Sequence, residues 1–181
     1  MASKIKVDQI QTGDGTGTIA LQNQLSGMTT ASLPALGSAQ MPTGSVLQVV
    51  EASYATEVGT SSSSYVDIGL SASITPISTS SKIFITAGVS IMVYNNSAAD
   101  AQGVYQLLRD STEISTKLVR LYDYGNSGTM LCVPSYIGKL DSPSTTSAVI
   151  YKIRMMLVEG SQVRAQFDGF PSQIVLMEIA G

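Results

Sequence analysis

The sequence predicts an all-β protein, an antiparallel β-sandwich of jelly-roll-like type with an extended N-terminal arm. Three observations predict it. Apolar and polar residues alternate over one long stretch after another, the period of a pleated strand with one buried face. Turn-forming residues interrupt these stretches at short intervals, and no long helical pattern competes with them. The first 43 residues differ from the rest: they are rich in Gly, Thr, Ser and Gln and sparse in apolar side chains.

Residues 1–43 are the predicted arm and linker, and 44–181 the sandwich. Within the arm, Ile5, Val7 and Ile10 suit one short strand. Gly13-Asp14-Gly15-Thr16-Gly17 suits turns with positive φ. It lacks the Lys-Ser/Thr of a phosphate loop and the ligand count of a calcium loop. Pro34, Gly37 and Pro42 mark a linker. Ile5, Val7, Ile10, Ile19 and Leu21 are too scattered to offset an ordering cost of about 1–2 kcal/mol per residue. The arm is therefore expected to order on a partner surface, with these five residues making the contact.

The strands of the module follow in order. Val46–Glu51 is a short candidate. In Tyr65–Thr75 the apolar set is Val66, Ile68, Leu70, Ala72 and Ile74, and Pro76 ends the run. Lys82–Val93 puts Ile83, Ile85, Ala87, Val89, Ile91 and Val93 on one face, and its twelve residues would span about 40 Å. Val104–Arg109, Glu113–Val119 and Met130–Val133 are shorter candidates. Val149–Val158 alternates cleanly, with Lys152 and Arg154 on its polar face. Val163, Ala165 and Phe167 alternate with Arg164, Gln166 and Asp168. Gln173–Ala180 is apolar on both sides except for Gln173 and Glu178, which predicts a central strand or one covered at an interface. Asn95-Asn96, Asp110-Ser111, Gly125-Asn126-Ser127-Gly128, Ser142-Pro143 and Glu159-Gly160 supply the turns.

Composition excludes several kinds of chemistry. There is no histidine, which removes Ser/His and Cys/His dyads and every His-containing zinc site. The one cysteine, Cys132, cannot close an intrachain disulfide and reads as a small buried hydrophobe. Carboxylates remain, but Asp100, Asp110, Glu113, Asp123, Asp141, Glu159, Asp168 and Glu178 sit mostly among turn residues. No catalytic residue, metal site or cofactor is assigned, and the chain is read as a non-enzyme. Ten Lys and Arg against thirteen Asp and Glu give a net charge of −3 with no basic cluster, so nucleic acid is not an expected partner. No run approaches 18 apolar residues, and no membrane span is expected. Charged residues make up 13% of the chain, about half the usual share, which suits surface hidden in an assembly. Tyr94, Asn95, Asn96, Tyr122, Tyr124 and Asn126 form the candidate recognition set, since Tyr beside Asn is common on binding surfaces.

Four stretches within the module are familiar together: Gly44-Ser45-Val46-Leu47-Gln48-Val49-Val50, Ser80-Ser81-Lys82-Ile83-Phe84-Ile85, Leu107-Leu108-Arg109-Asp110-Ser111-Thr112, and Ile174 through Gly181. The set resembles the β-rich C-terminal module of tail-fibre and decoration-type virion proteins of tailed phages, especially marine and cyanobacterial ones. The opening Lys4-Ile5-Lys6-Val7-Asp8-Gln9-Ile10-Gln11-Thr12 is similar to the start of many such proteins. The resemblance implies a homotrimer, folded in the host cytoplasm and carried on the virion. It also implies an N-terminal segment that docks on capsid, neck or tail proteins, and a distal module facing a host glycan or protein. No repetitive shaft separates arm from module, which favours a short fibre, a knob or a capsid decoration protein that stabilises the head. A glycan-binding or glycan-degrading module is the alternative.

Overall fold

The computed structural model describes residues 37, 40–97, 100–122 and 128–181. The arm residues Ile5, Val7, Ile10, Ile19 and Leu21, together with Tyr124 and Asn126, lie outside them. The described residues contain ten strands: β1 (Val46–Tyr54), β2 (Val58–Thr60), β3 (Val66–Ile74), β4 (Lys82–Asn95), β5 (Ala101–Arg109), β6 (Thr112–Leu121), β7 (Thr129–Asp141), β8 (Val149–Glu159), β9 (Gln162–Ala165) and β10 (Ser172–Ile179). All paired strands are antiparallel.

The strands form two sheets. In the first, β4 is the spine: β7 runs along one edge from Ile83 to Asn95, while β10 and then β9 share the other edge. β1 lies beyond β10, and β2 beyond β9. The second sheet has the order β3-β8-β5-β6. With β2 and β9 taken as short extensions, β1-β10-β4-β7 faces β3-β8-β5-β6. This is the strand order of a jelly roll, two Greek keys wrapped into a sandwich.

The alternation in the sequence builds the core directly. Ile83, Ile85, Ala87, Val89, Ile91 and Val93 of β4 are all buried. They join Ile68, Leu70 and Ile74 of β3, Tyr151, Ile153 and Met155 of β8, and Ile174 and Leu176 of β10 in one cluster. Each large side chain so buried is worth about 1.5–3 kcal/mol. β10 is central, between β1 and β4, as its two-sided hydrophobicity predicts.

Several expectations need correction. Met130–Val133 is only the start of a 13-residue strand. Pro134 and Gly138 hide the rest in the sequence. An edge strand tolerates both, because it needs ladder hydrogen bonds on one side only. Phe167 does not continue β9. Gln166 and Asp168 both adopt left-handed backbone, and Phe167–Gly169 becomes a 3-10 turn that steps the chain from β9 to β10. Cys132 is exposed, on the outer face of the first sheet. β2 is too short to show a period at all.

The sandwich has two distinct ends. At one, called the entry end here, Gly44 donates to the Ala180 carbonyl and Ala180 donates back to that of Ser45, both at 2.8 Å. The chain enters the sandwich at this end, alongside the start of β4 and the close of β10. At the far end, β4 gives way to β5, β6 to β7, and β8 to β9. Fourteen residues of β4 separate the ends, about 45 Å at strand rise.

Candidate functional site

The far end gathers the described part of the Tyr/Asn set. Tyr94, Asn95 and Asn96 close β4, and Tyr122 follows β6. Their roles differ. Asn95 is 2% exposed. Its Oδ1 accepts from the Ser97 amide and hydroxyl and from the Ser161 hydroxyl, and its Nδ2 donates to the Asp100 carbonyl. It therefore ties the β4–β5 and β8–β9 connections together. Asn96 accepts from the Ser161 hydroxyl at 2.6 Å and extends the same tie. Tyr122 is the exposed tyrosine of the set, at 61%. The Arg120 guanidinium lies 4.5 Å from its ring centre and bonds Asp100 at 2.9 Å, with Glu159 at 3.7 Å. A cation held over a ring by two carboxylates makes a firm, partly polar platform. Sequence reading missed Asp100, Arg120, Glu159 and Ser161 as members of this group. Their only signal was a place beside the turn residues.

Another tyrosine, Tyr136, is in the middle of β7 and far from these loops. It points from the outer face of the first sheet beside Gly88. There it stands over an open groove of about 490 Å³ whose other wall carries Phe170 and Pro171. The floor is Gly88, Ser90 and Val175.

The entry end is built on a carboxylate. Glu178 of β10 is fully buried and accepts from the Gln48 amide at 2.5 Å and from the Ile77 backbone at 2.7 Å. Burial alone would raise its pKa. The surrounding donors outweigh it and hold the carboxyl below its ordinary range: the side chains of Ser81 and Gln48, and the backbone amides of Ile77 and Ser78. The Ser81 hydroxyl lies near but outside good hydrogen-bond geometry. Gln48 also donates to the Thr75 carbonyl, so this cluster fixes the β3–β4 turn against β1.

A second cluster at that end joins the sheets. Asp141 of β7 accepts from both Arg109 of β5, at 2.8 Å, and the Tyr151 hydroxyl of β8, at 2.8 Å. Burial, followed by the bond to Asp141 and that group's charge, pushes the Tyr151 phenol far above its usual value. These carboxylates hold the fold together and are filled by structural donors. Among the described residues, no three His, Cys, Asp or Glu side chains gather as a metal site would need. No helix among them is long and apolar enough to cross a membrane.

No protein-family model matches the chain, and no curated protein matches it. Among solved structures, it is similar to the VP2 subviral particle of infectious bursal disease virus. That match has 16% identity and a TM-score of 0.39 and covers 82% of this chain and 38% of that one. It is likewise similar to the T13 viral particle of that virus, at 15% identity and a TM-score of 0.39, over 82% of this chain and 40% of the other. The chain thus spans about two-fifths of the length of the solved chains it matches. So loose a likeness carries no functional inference, and the jelly-roll assignment rests on strand order.

Proposed function

We propose that the chain is a structural component of a phage virion, a short fibre or knob. In this reading residues 1–43 dock it on other virion proteins, the sandwich is displayed as a homotrimer, and the far end faces the host surface. It performs no reaction of its own.

One observation carries the reading: the two ends of the sandwich differ. The chain enters at one end, where Gly44 and Ala180 pin it, and Tyr122 with its Arg120 platform is at the other. A docked entry end would hold that platform about 45 Å away, the length of β4. The sequence layout supports the same division, since the arm has too few apolar residues to be expected to order alone and the module folds around its own core.

Deleting residues 2–40 tests this. The truncated protein is expected to keep the melting behaviour of the sandwich and to be absent from purified particles. Normal incorporation of the truncated protein would overturn the docking role.

A further inference from the structure

We infer that copies of this chain meet through the outer face of the first sheet. Strand register lays apolar side chains across that face in a row. Val49 of β1 is beside Met177 of β10, which is beside Phe84 of β4, which is beside Leu140 of β7. Tyr136 and Cys132 continue the face along β7, and Phe170 stands at its margin. From Phe84 to Met92 on β4, from Met130 to Leu140 on β7 and from Gln173 to Met177 on β10, the outward positions hold no Asp, Glu, Lys or Arg. Among the described residues, the charges of this face are at its perimeter: Glu51, Lys82, Asp168, and Arg164 with its partner Glu57.

The second sheet differs: on its outer face the exposed Leu118, Ile150 and Val158 are interspersed with charged side chains. Its outer face carries a hydrogen-bonded polar network in which Arg154 donates to Gln106, Gln106 to Glu113, and Lys152 to Asp67.

Area argues for one partner of ordinary size. Val49, Phe84, Met130, Tyr136, Leu140 and Phe170 are each 41–71% exposed. At the areas typical of large side chains this comes to roughly 600 Å² of apolar surface. That is the upper end of what a monomer shows as its largest patch, about 300–600 Å². The half-buried Val175, Met177 and Ile179 bring it near the ~800 Å² that each side gives to a standard interface.

The occupant that fits is a second copy. A face without charge has nothing to orient an unlike partner, and interfaces between like chains are the more apolar kind. The face also carries both halves of a fit. Tyr136 and Phe170 project, at 71% and 64% exposure, on either side of the groove of about 490 Å³. One copy can therefore give a knob and receive one, as closed symmetry requires.

This inference rests on the proposed self-assembly and specifies its surface. The test is the mass of the full chain by sedimentation at roughly 50 µM, above a micromolar Kd. Wild type is expected as a closed oligomer. Phe84→Arg and Tyr136→Glu are each expected to fall to the 19.0 kDa of one chain. Lys117→Glu, on the second sheet, is expected to leave the mass unchanged. Val49→Arg, nearer the edge of the face, serves if either central variant fails to fold. Cys132 should react slowly with maleimide in the wild-type oligomer and at least tenfold faster in the monomeric variants. A monomeric wild type, or a folded face variant with unchanged mass, would overturn the inference. Incorporation of the chain into particles, measured separately, decides the virion role: a wild type that is monomeric alone but present in particles sinks only the interface.

Discussion

Glu178 shows why a single polar residue at an apolar position matters. In the sequence it interrupts an otherwise hydrophobic strand. In the fold it is the acceptor on which β1 and the β3–β4 turn are hung. Its folded pKa is below the ordinary 4.5. The charged form therefore stabilises the fold above that pH, and the contribution is lost as pH falls through the folded value. Glu178→Gln keeps the shape but turns a donor toward donors, so a loss of about 2–3 kcal/mol is expected near neutral pH. Melting curves should show the two proteins far apart at about pH 7 and converging as the pH falls below the ordinary carboxylate value of 4.5. A constant gap across that range would mean that the carboxylate's charge is not what the cluster uses.

Among the elements, β3 shows how a strand is bent to fit. Between Asp67 and Ser71 its register against β8 shifts, three residues facing one. Gly69 sits there at φ +82°, and the Tyr54 ring of β1 lies against its Cα. A methyl group would collide with that ring, and the backbone region is one that L side chains resist. Gly69→Ala should cost about 1–3 kcal/mol, read as a lower denaturant midpoint with unchanged slope.

Bulges of this kind were not legible in advance. The clean alternation of Val66–Ile74 predicted a strand correctly, yet contained nothing to mark where its ladder slips. β4 and β8 were legible because half-burial writes period two into a sequence. β5 was legible only in part, since Val104, Gln106 and Leu108 are buried on the outer face as well. β7 was mostly missed, because Pro134 and Gly138 are breakers everywhere except at an edge. The candidate site divides similarly. Residue type pointed to Tyr122, whereas burial decided that Asn95 is a tie between loops.

At the scale of the whole molecule, the sandwich is asymmetric in two directions. Along its length it runs from the pinned entry to the Tyr122 platform. Through its thickness it runs from an apolar face charged only at its rim to one that mixes apolar and charged side chains. Under the proposed function each asymmetry allots a surface to a different task, so variants on the two should separate. Tyr122→Ala is expected to leave particle composition unchanged while lowering adsorption to host cells by about tenfold, the equivalent of roughly 1.4 kcal/mol. Adsorption assays on purified particles check this, and unchanged adsorption would remove the recognition role.

The pairing of β1 with β10 has a consequence in time. β1 is made before the other nine described strands, yet finds its neighbour only when nearly all of the described chain has been made. Until then β1 has no place in the sheet, and Gly44 has no Ala180 to hold it. A chain cut short in synthesis would carry the arm on an unclosed sheet, its entry unfixed. Closure of the sandwich thus waits on β10: only a chain made through Ala180 holds Gly44 in place.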